Sequence, residues 1–217
     1  MILGLEPVPT GKLVRYYLQA RRELRKRVDY EPADVTVGAD LAEKVQLYVE
    51  PVVREGYARY GSTFSDEQFR LLLRTGRLKV HSSRLSADFQ LTGLTSVNTM
   101  LEECRAAWLE HWGYSRAAQA KIAFYPERLD TEKPLLRAKD YPSRAIDRDA
   151  IGTVEVMLDV GRDGIPIRCR NIRESGHKDL DQKVCAAAMH RRYLPGRDVN
   201  GEPIAAPNFI TVRWAMN

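Results

Sequence analysis

"GTVEVMLDVGRDGIPIRCRN", residues 152 to 171, reads as two strands joined by a turn. Val154, Val156, Leu158 and Val160 fall on one face with Glu155 and Asp159 on the other, the alternation of a strand buried on one side. "GRDG", residues 161 to 164, supplies the hairpin turn. In "IPIRCRN", Ile165, Ile167 and Cys169 share a face while Arg168 and Arg170 point away. Downstream, "KDLDQKVCAAAMHRR", from Lys178, puts Leu180, Val184 and Ala188 on one helical stripe, with Arg191 and Arg192 near the negative end of the helix dipole. "NFITVRWAM", from Asn208, alternates again, with Ile210, Val212, Trp214 and Met216 on one face. The expected order is strand, strand, helix, strand, a small antiparallel sheet with one helix packed on it.

Working backwards, residues 114 to 140 lose periodicity. "YPERLDTEKPLLRAKDYP" is rich in proline and mixed charge, which fits an extended linker. Residues 1 to 113 carry strand-like runs bounded by Pro, Gly and Asp: "KLVRYYLQA", "ADVTVGA", "KVQLYVEPVV", "RLKVHS" and "ADFQLTGL". Two helices interrupt them. "STFSDEQFRLLLRTG" has Ser65 as a cap, Phe69, Leu72 and Leu73 at helical spacing and Gly76 as a stop. "SVNTMLEECRAAWLEHWG" places Val97, Met100, Leu101, Cys104, Trp108 and Leu109 on one stripe. The fold class is α+β: a β-rich N-terminal domain with two short helices over 1–113, a linker over 114–140 and a β-β-α-β domain over 141–217.

With 217 residues, 44% of them apolar and 29% charged, the chain is long enough for one large or two small cores. No segment approaches the roughly 20 apolar residues of a membrane helix, so the chain is expected to be soluble. "MILGLEPVPTGK" lacks the basic region, apolar core and cleavage site of a signal peptide. A net charge of +5 is small for this length. Its densest part, "RRELRKR" at 21 to 27, has no interleaved aromatic residues and reads as a solvated strand end rather than a phosphate-binding patch, so no nucleic-acid partner is expected.

Residues 141 to 214 carry a set of spaced motifs: Tyr141-Pro142, Gly152-Thr153-Val154, Asp163-Gly164, Ser175-Gly176 with Leu180-Asp181, and Arg192-Tyr193-Leu194-Pro195. In this order they resemble the C-terminal domain of TonB, the periplasmic energy transducer of Gram-negative bacteria. The resemblance covers the last third of the chain. It implies a domain that binds a short peptide, the TonB box of an outer-membrane transporter, beside its last strand. An edge strand offers the unpaired backbone donors and acceptors such a peptide needs. On this chain the receiving strand would be Phe209, Ile210, Thr211, Val212, Arg213 and Trp214, with Tyr141, Pro142 and Arg144 near its end. The alternative occupant is a second copy, in a homodimer joined through the same strand. The family's membrane helix and Pro-rich spacer are not seen here, and a folded β-rich domain stands in their place. The expectation is a periplasmic protein with a TonB-like module, its export segment absent from this sequence.

Cys169, His177, Cys185 and His190 are all ligand types for zinc, but zinc sites bring ligands in tight pairs and these are too widely spaced. No C-x-x-C is present to support redox chemistry. A disulfide between Cys169 and Cys185 fits better, because Cys169 faces the helix and Cys185 borders that helix's buried stripe. Closing a loop of about 15 residues should stabilise the domain by roughly 3 kcal/mol and implies an oxidising compartment. Cys104, on the apolar stripe of its helix, is expected to be a buried thiol. Ser175 and Lys178 have S-x-x-K spacing, yet the partner motifs of that chemistry are missing. Neither a calcium loop, a phosphate cradle nor H-E-x-x-H occurs, so neither catalytic residues nor a metal or cofactor is expected.

Overall fold

The computed structural model describes residues 1–10, 13–21, 29–39, 41–51 and 56–216. The chain divides into two units, Met1–Trp108 and Leu109–Asn217. Residues 22 to 27 of the basic run lie outside the described residues.

The first unit is one antiparallel sheet of β1 (Ile2–Pro7), β2 (Val14–Arg21), β3 (Asp29–Val37), β4 (Leu41–Pro51), β5 (Tyr57–Phe64), β6 (Arg77–Ser82) and β7 (Ser86–Gln90). The spatial order is β1-β2-β5-β4-β3-β6-β7. Helix α1 (Asp66–Thr75) follows β5, and α2 (Leu94–His111) follows β7. Strand alternation puts Val14, Tyr16 and Leu18, Val35 and Val37, Leu47 and Val49, Tyr60 and Phe64, and Leu78 and Val80 into one core, covered by Phe69, Leu72, Leu94 and Leu101 of the helices. Each such side chain contributes about 1.5–3 kcal/mol of burial. The ends of α1 are as expected. Ser65 Oγ accepts from the Gln68 amide at 3.1 Å, Gln68 Oε1 accepts from the Ser65 amide at 2.9 Å, and Gly76, at φ 67°, donates to the Leu72 carbonyl.

Two strands, β1 and β5, were hidden from pattern reading by a glycine each. A Cβ on Gly4 would lie 2.0 Å from the Tyr17 ring, and one on Gly61 would lie 2.3 Å from the Tyr48 ring. Cross-strand tyrosines lie over these positions, which interrupts the alternation.

Helix α2 corrects the expectation for Cys104, which is exposed, as is Met100. The buried stripe runs through Leu94, Leu101, Arg105 and Leu109. An arginine in that stripe turns the helix away from the face that apolar counting favours. Arg105 is 6% exposed and tolerates it by donating to the carbonyls of Val8 at 3.0 Å and Leu13 at 3.3 Å.

The second unit continues with α3 (Arg116–Gln119), β8 (Glu127–Arg128), α4 (Ser143–Ile146), β9 (Gly152–Val160), β10 (Pro166–Arg173), α5 (Lys178–Met189), β11 (Tyr193–Leu194), β12 (Gly196–Arg197), β13 (Pro203–Ile204) and β14 (Ala206–Trp214). Its main sheet has the order β10-β9-β14, and two short ribbons pair β11 with β8 and β12 with β13. The strand, strand, helix, strand order is the one expected. Leu180, Val184 and Ala188 of α5 pack on Val154, Val156, Leu158 and Val160. Ser175 opens α5 by donating from its hydroxyl to Asp181 Oδ1 at 2.7 Å, so this serine is part of a helix entrance.

Two details differ from the pattern. Strand β9 is buried on both faces, since Thr153, Glu155 and Met157 are enclosed as well. It is the central strand, and the chain after α2 closes over its second face: Tyr114 donates to Asp159, and Arg170 donates to the Trp112 carbonyl at 2.6 Å. Ile165 and Ile167 do not share the covered face with Cys169. Ile167 is 67% exposed because the register shifts between Pro166 and Arg168, a bulge that rotates it outward.

Candidate functional site

The sheet order leaves two edges, and they are unlike. Strand β10 has register shifts at both ends, between Pro166 and Arg168 and between Asn171 and Arg173. Strand β14 pairs without interruption from Ala206 opposite Val160 to Trp214 opposite Gly152. Bulges spoil an edge for further pairing, and a straight run of ladder keeps it competent.

Along β14, Ile210, Val212 and Trp214 join the core beneath α5, and Phe209, Thr211 and Arg213 alternate onto the other face. Of the three residues expected near the far end of the strand, Tyr141 is the one in contact with it. Tyr141 meets Trp214 edge-to-face, and its hydroxyl donates to the Ala150 carbonyl at 2.5 Å. Burial raises the Tyr141 pKa above the ordinary phenol value, so the hydroxyl stays a donor. Trp214 is 4% exposed, and its indole N–H has no acceptor among the described residues. Pro142 sits at the N-cap of α4, where its fixed φ suits the turn, and Ala145 of that turn is fully buried in the same cluster. Arg144, on α4, is exposed.

At the near end a residue outside the expected set takes part. Asn208 Nδ2 donates to the Pro126 carbonyl at 2.6 Å. Nothing in the sequence marks this pair, whose members are 82 residues apart.

Cys169 and Cys185 are joined in a disulfide, with Cα atoms 5.7 Å apart, tying β10 to α5 across the apolar layer. On the opposite face Asp159 is the main charged anchor. Burial alone would raise its pKa, but hydrogen bonds from Tyr114, Arg168 at 2.6 Å and Arg170 at 2.6 Å outweigh it and hold the carboxyl below the ordinary carboxylate value.

No helix among the described residues is long and apolar enough to cross a membrane. Residues 137–216 match the family described as Gram-negative bacterial TonB protein C-terminal, a non-enzymatic family. No curated protein and no solved structure matches the chain.

Proposed function

From a TonB C-terminal domain over residues 137–216, we propose that this protein works in the periplasm and binds an extended segment of an outer-membrane TonB-dependent transporter. The segment adds as a strand along Phe209–Trp214 of β14. The observation that carries this reading is the contrast between the uninterrupted ladder of β14 and the twice-bulged β10. Tyr141 and Pro142 support the far end of the receiving strand by holding Trp214 and the turn beside it. Arg144, exposed next to them, is a contact for the arriving chain. The disulfide supports an oxidising compartment. The family match supports a role in transport, and this reading assigns that role to recognition of the transporter.

The test is a titration of isotope-labelled protein with peptides copied from the plug-domain N-termini of outer-membrane transporters. The expected result is amide shifts confined to β14 and its surroundings. If no peptide perturbs Phe209–Trp214 while the protein proves dimeric through that strand, self-association replaces this reading.

A further inference from the structure

We propose that Leu135 and Leu136 form one wall of an apolar subsite beside β14, so that the segment bound there carries apolar side chains at alternate positions. This deepens the reading of β14 as the receiving strand and rests on it. On the sheet face that carries Val154, Val156, Leu158 and Val160, α5 packs against β9 and β10 and is tied to β10 by the Cys169–Cys185 bond. Strand β14 lies on the far side of β9 from β10, and its own residues on this face, Ile210 and Val212, are only partly buried.

The chain from Pro126 to Tyr141 supplies the cover that the helix does not. Asn208 and Trp214 share the α5 face of β14, and each holds one end of this stretch. The Asn208 side chain donates to the Pro126 carbonyl at 2.6 Å, and Trp214 meets the Tyr141 ring edge-to-face. The stretch therefore follows that face of β14 from its start to its end. Between these anchors, Arg191, just past α5, donates to the Leu135 carbonyl at 3.2 Å and pairs with Asp130 at 3.1 Å. Leu136 packs into the same cluster as Ile210 and Val212, and Leu135 into a second cluster that Ile210 also joins. All four side chains are partly buried, so the apolar layer is incomplete beside the open edge. An added strand places every second side chain on this face, next to Ile210 and Val212 and flanked by the two leucines. A polar side chain there gives up water without gaining a partner, whereas an apolar one is stabilised by burial. The other face offers Phe209, Thr211 and Arg213, a mixed set that demands no single chemistry.

The experiment is a serine scan, one residue at a time, of a peptide copied from a transporter plug N-terminus, titrated against the full oxidised chain. In wild type, two positions separated by one residue should each lose about tenfold in affinity, while the position between them changes by less than about twofold. Methyl NOEs should join the side chains at the two sensitive positions to Leu135 or Leu136 and to Ile210 or Val212. In a Leu135→Ala, Leu136→Ala double variant the two losses should shrink to about threefold, with the unsubstituted peptide still shifting the amides of Phe209–Trp214. Arg191→Ala, which keeps both leucines but unfastens them, should act in the same direction. The wild-type NOEs decide the matter if the double variant does not fold. Losses that do not alternate, or alternating losses with no NOE to either leucine, overturn the subsite while leaving β14 as the receiving strand. If the peptide shifts no amide of Phe209–Trp214, the receiving strand itself is wrong, and this inference goes with it.

Discussion

Trp214 and Tyr141 meet edge-to-face with ring centroids 4.8 Å apart and planes at 69°, joining the last residue of β14 to the turn that precedes α4. The contact closes the sheet's end, because Trp214 pairs with Gly152 at the first residue of β9. Trp214→Ala should cost about 3–5 kcal/mol, the usual price of emptying a buried aromatic site. Tyr141→Phe should cost about 1 kcal/mol through the lost bond to Ala150. Native-state amide exchange of β9 reads both, and equal protection in Trp214→Ala and wild type would contradict the packing account.

Reducing the Cys169–Cys185 disulfide should lower the stability of the C-terminal unit by roughly 3 kcal/mol. Denaturant unfolding of oxidised and reduced protein, followed through the C-terminal amides, measures this. Coincident curves would mean that the loop is already constrained without the bond.

Arg105→Met keeps the apolar stem in place but strips two carbonyls of their donor, those of Val8 and Leu13. The loss should be about 2–3 kcal/mol, felt first at the turn between β1 and β2. Glu102, which accepts from Arg105 at 2.6 Å, is largely exposed, so Glu102→Gln should cost less than about 1 kcal/mol. Similar losses from the two substitutions would show that the ion pair, and not the carbonyl contacts, holds Arg105.

Asp159 links stability to pH. Its folded pKa is lowered by Tyr114, Arg168 and Arg170 against the opposing effect of burial, so its contribution is complete above the unfolded carboxylate value of about 3.9. That contribution is lost as pH falls through the lower folded value. Acid titration of wild type should therefore show a steeper loss of stability below about pH 4 than Asp159→Asn does. Parallel titration curves would remove Asp159 from this role.

Cys104, exposed on α2, should react with a maleimide in the folded protein, while Cys169 and Cys185 stay protected by their bond. One label per chain is expected without denaturant. Absence of labelling until unfolding would restore the buried placement that the apolar spacing suggested.

The C-terminal unit was the more legible half because its strands and helix alternate over long uninterrupted runs. Val154 to Val160, Leu180 to Ala188 and Ile210 to Trp214 each signal the face they bury. The same reading failed at Ile167, where a bulge shifts the side-chain period by one residue without any change of composition. It failed again at Cys104, where one arginine with two carbonyl partners overrode the apolar count. In the N-terminal unit, Gly4 and Gly61 removed the signal of two strands because their role is to leave room for Tyr17 and Tyr48.

The sequence by itself determined the α+β class, the strand, strand, helix, strand order of the C-terminal domain and the pairing of its two cysteines. Each of these depends on local periodicity, or on which faces must meet across one layer. Only the tertiary structure decided that β14 is the regular edge and β10 the bulged one, and that the Asn208 side chain near the start of β14 meets the Pro126 carbonyl. An edge is defined by which neighbour is missing, and a contact across 82 residues by how the chain returns. Neither leaves a trace in the spacing of side chains along one strand.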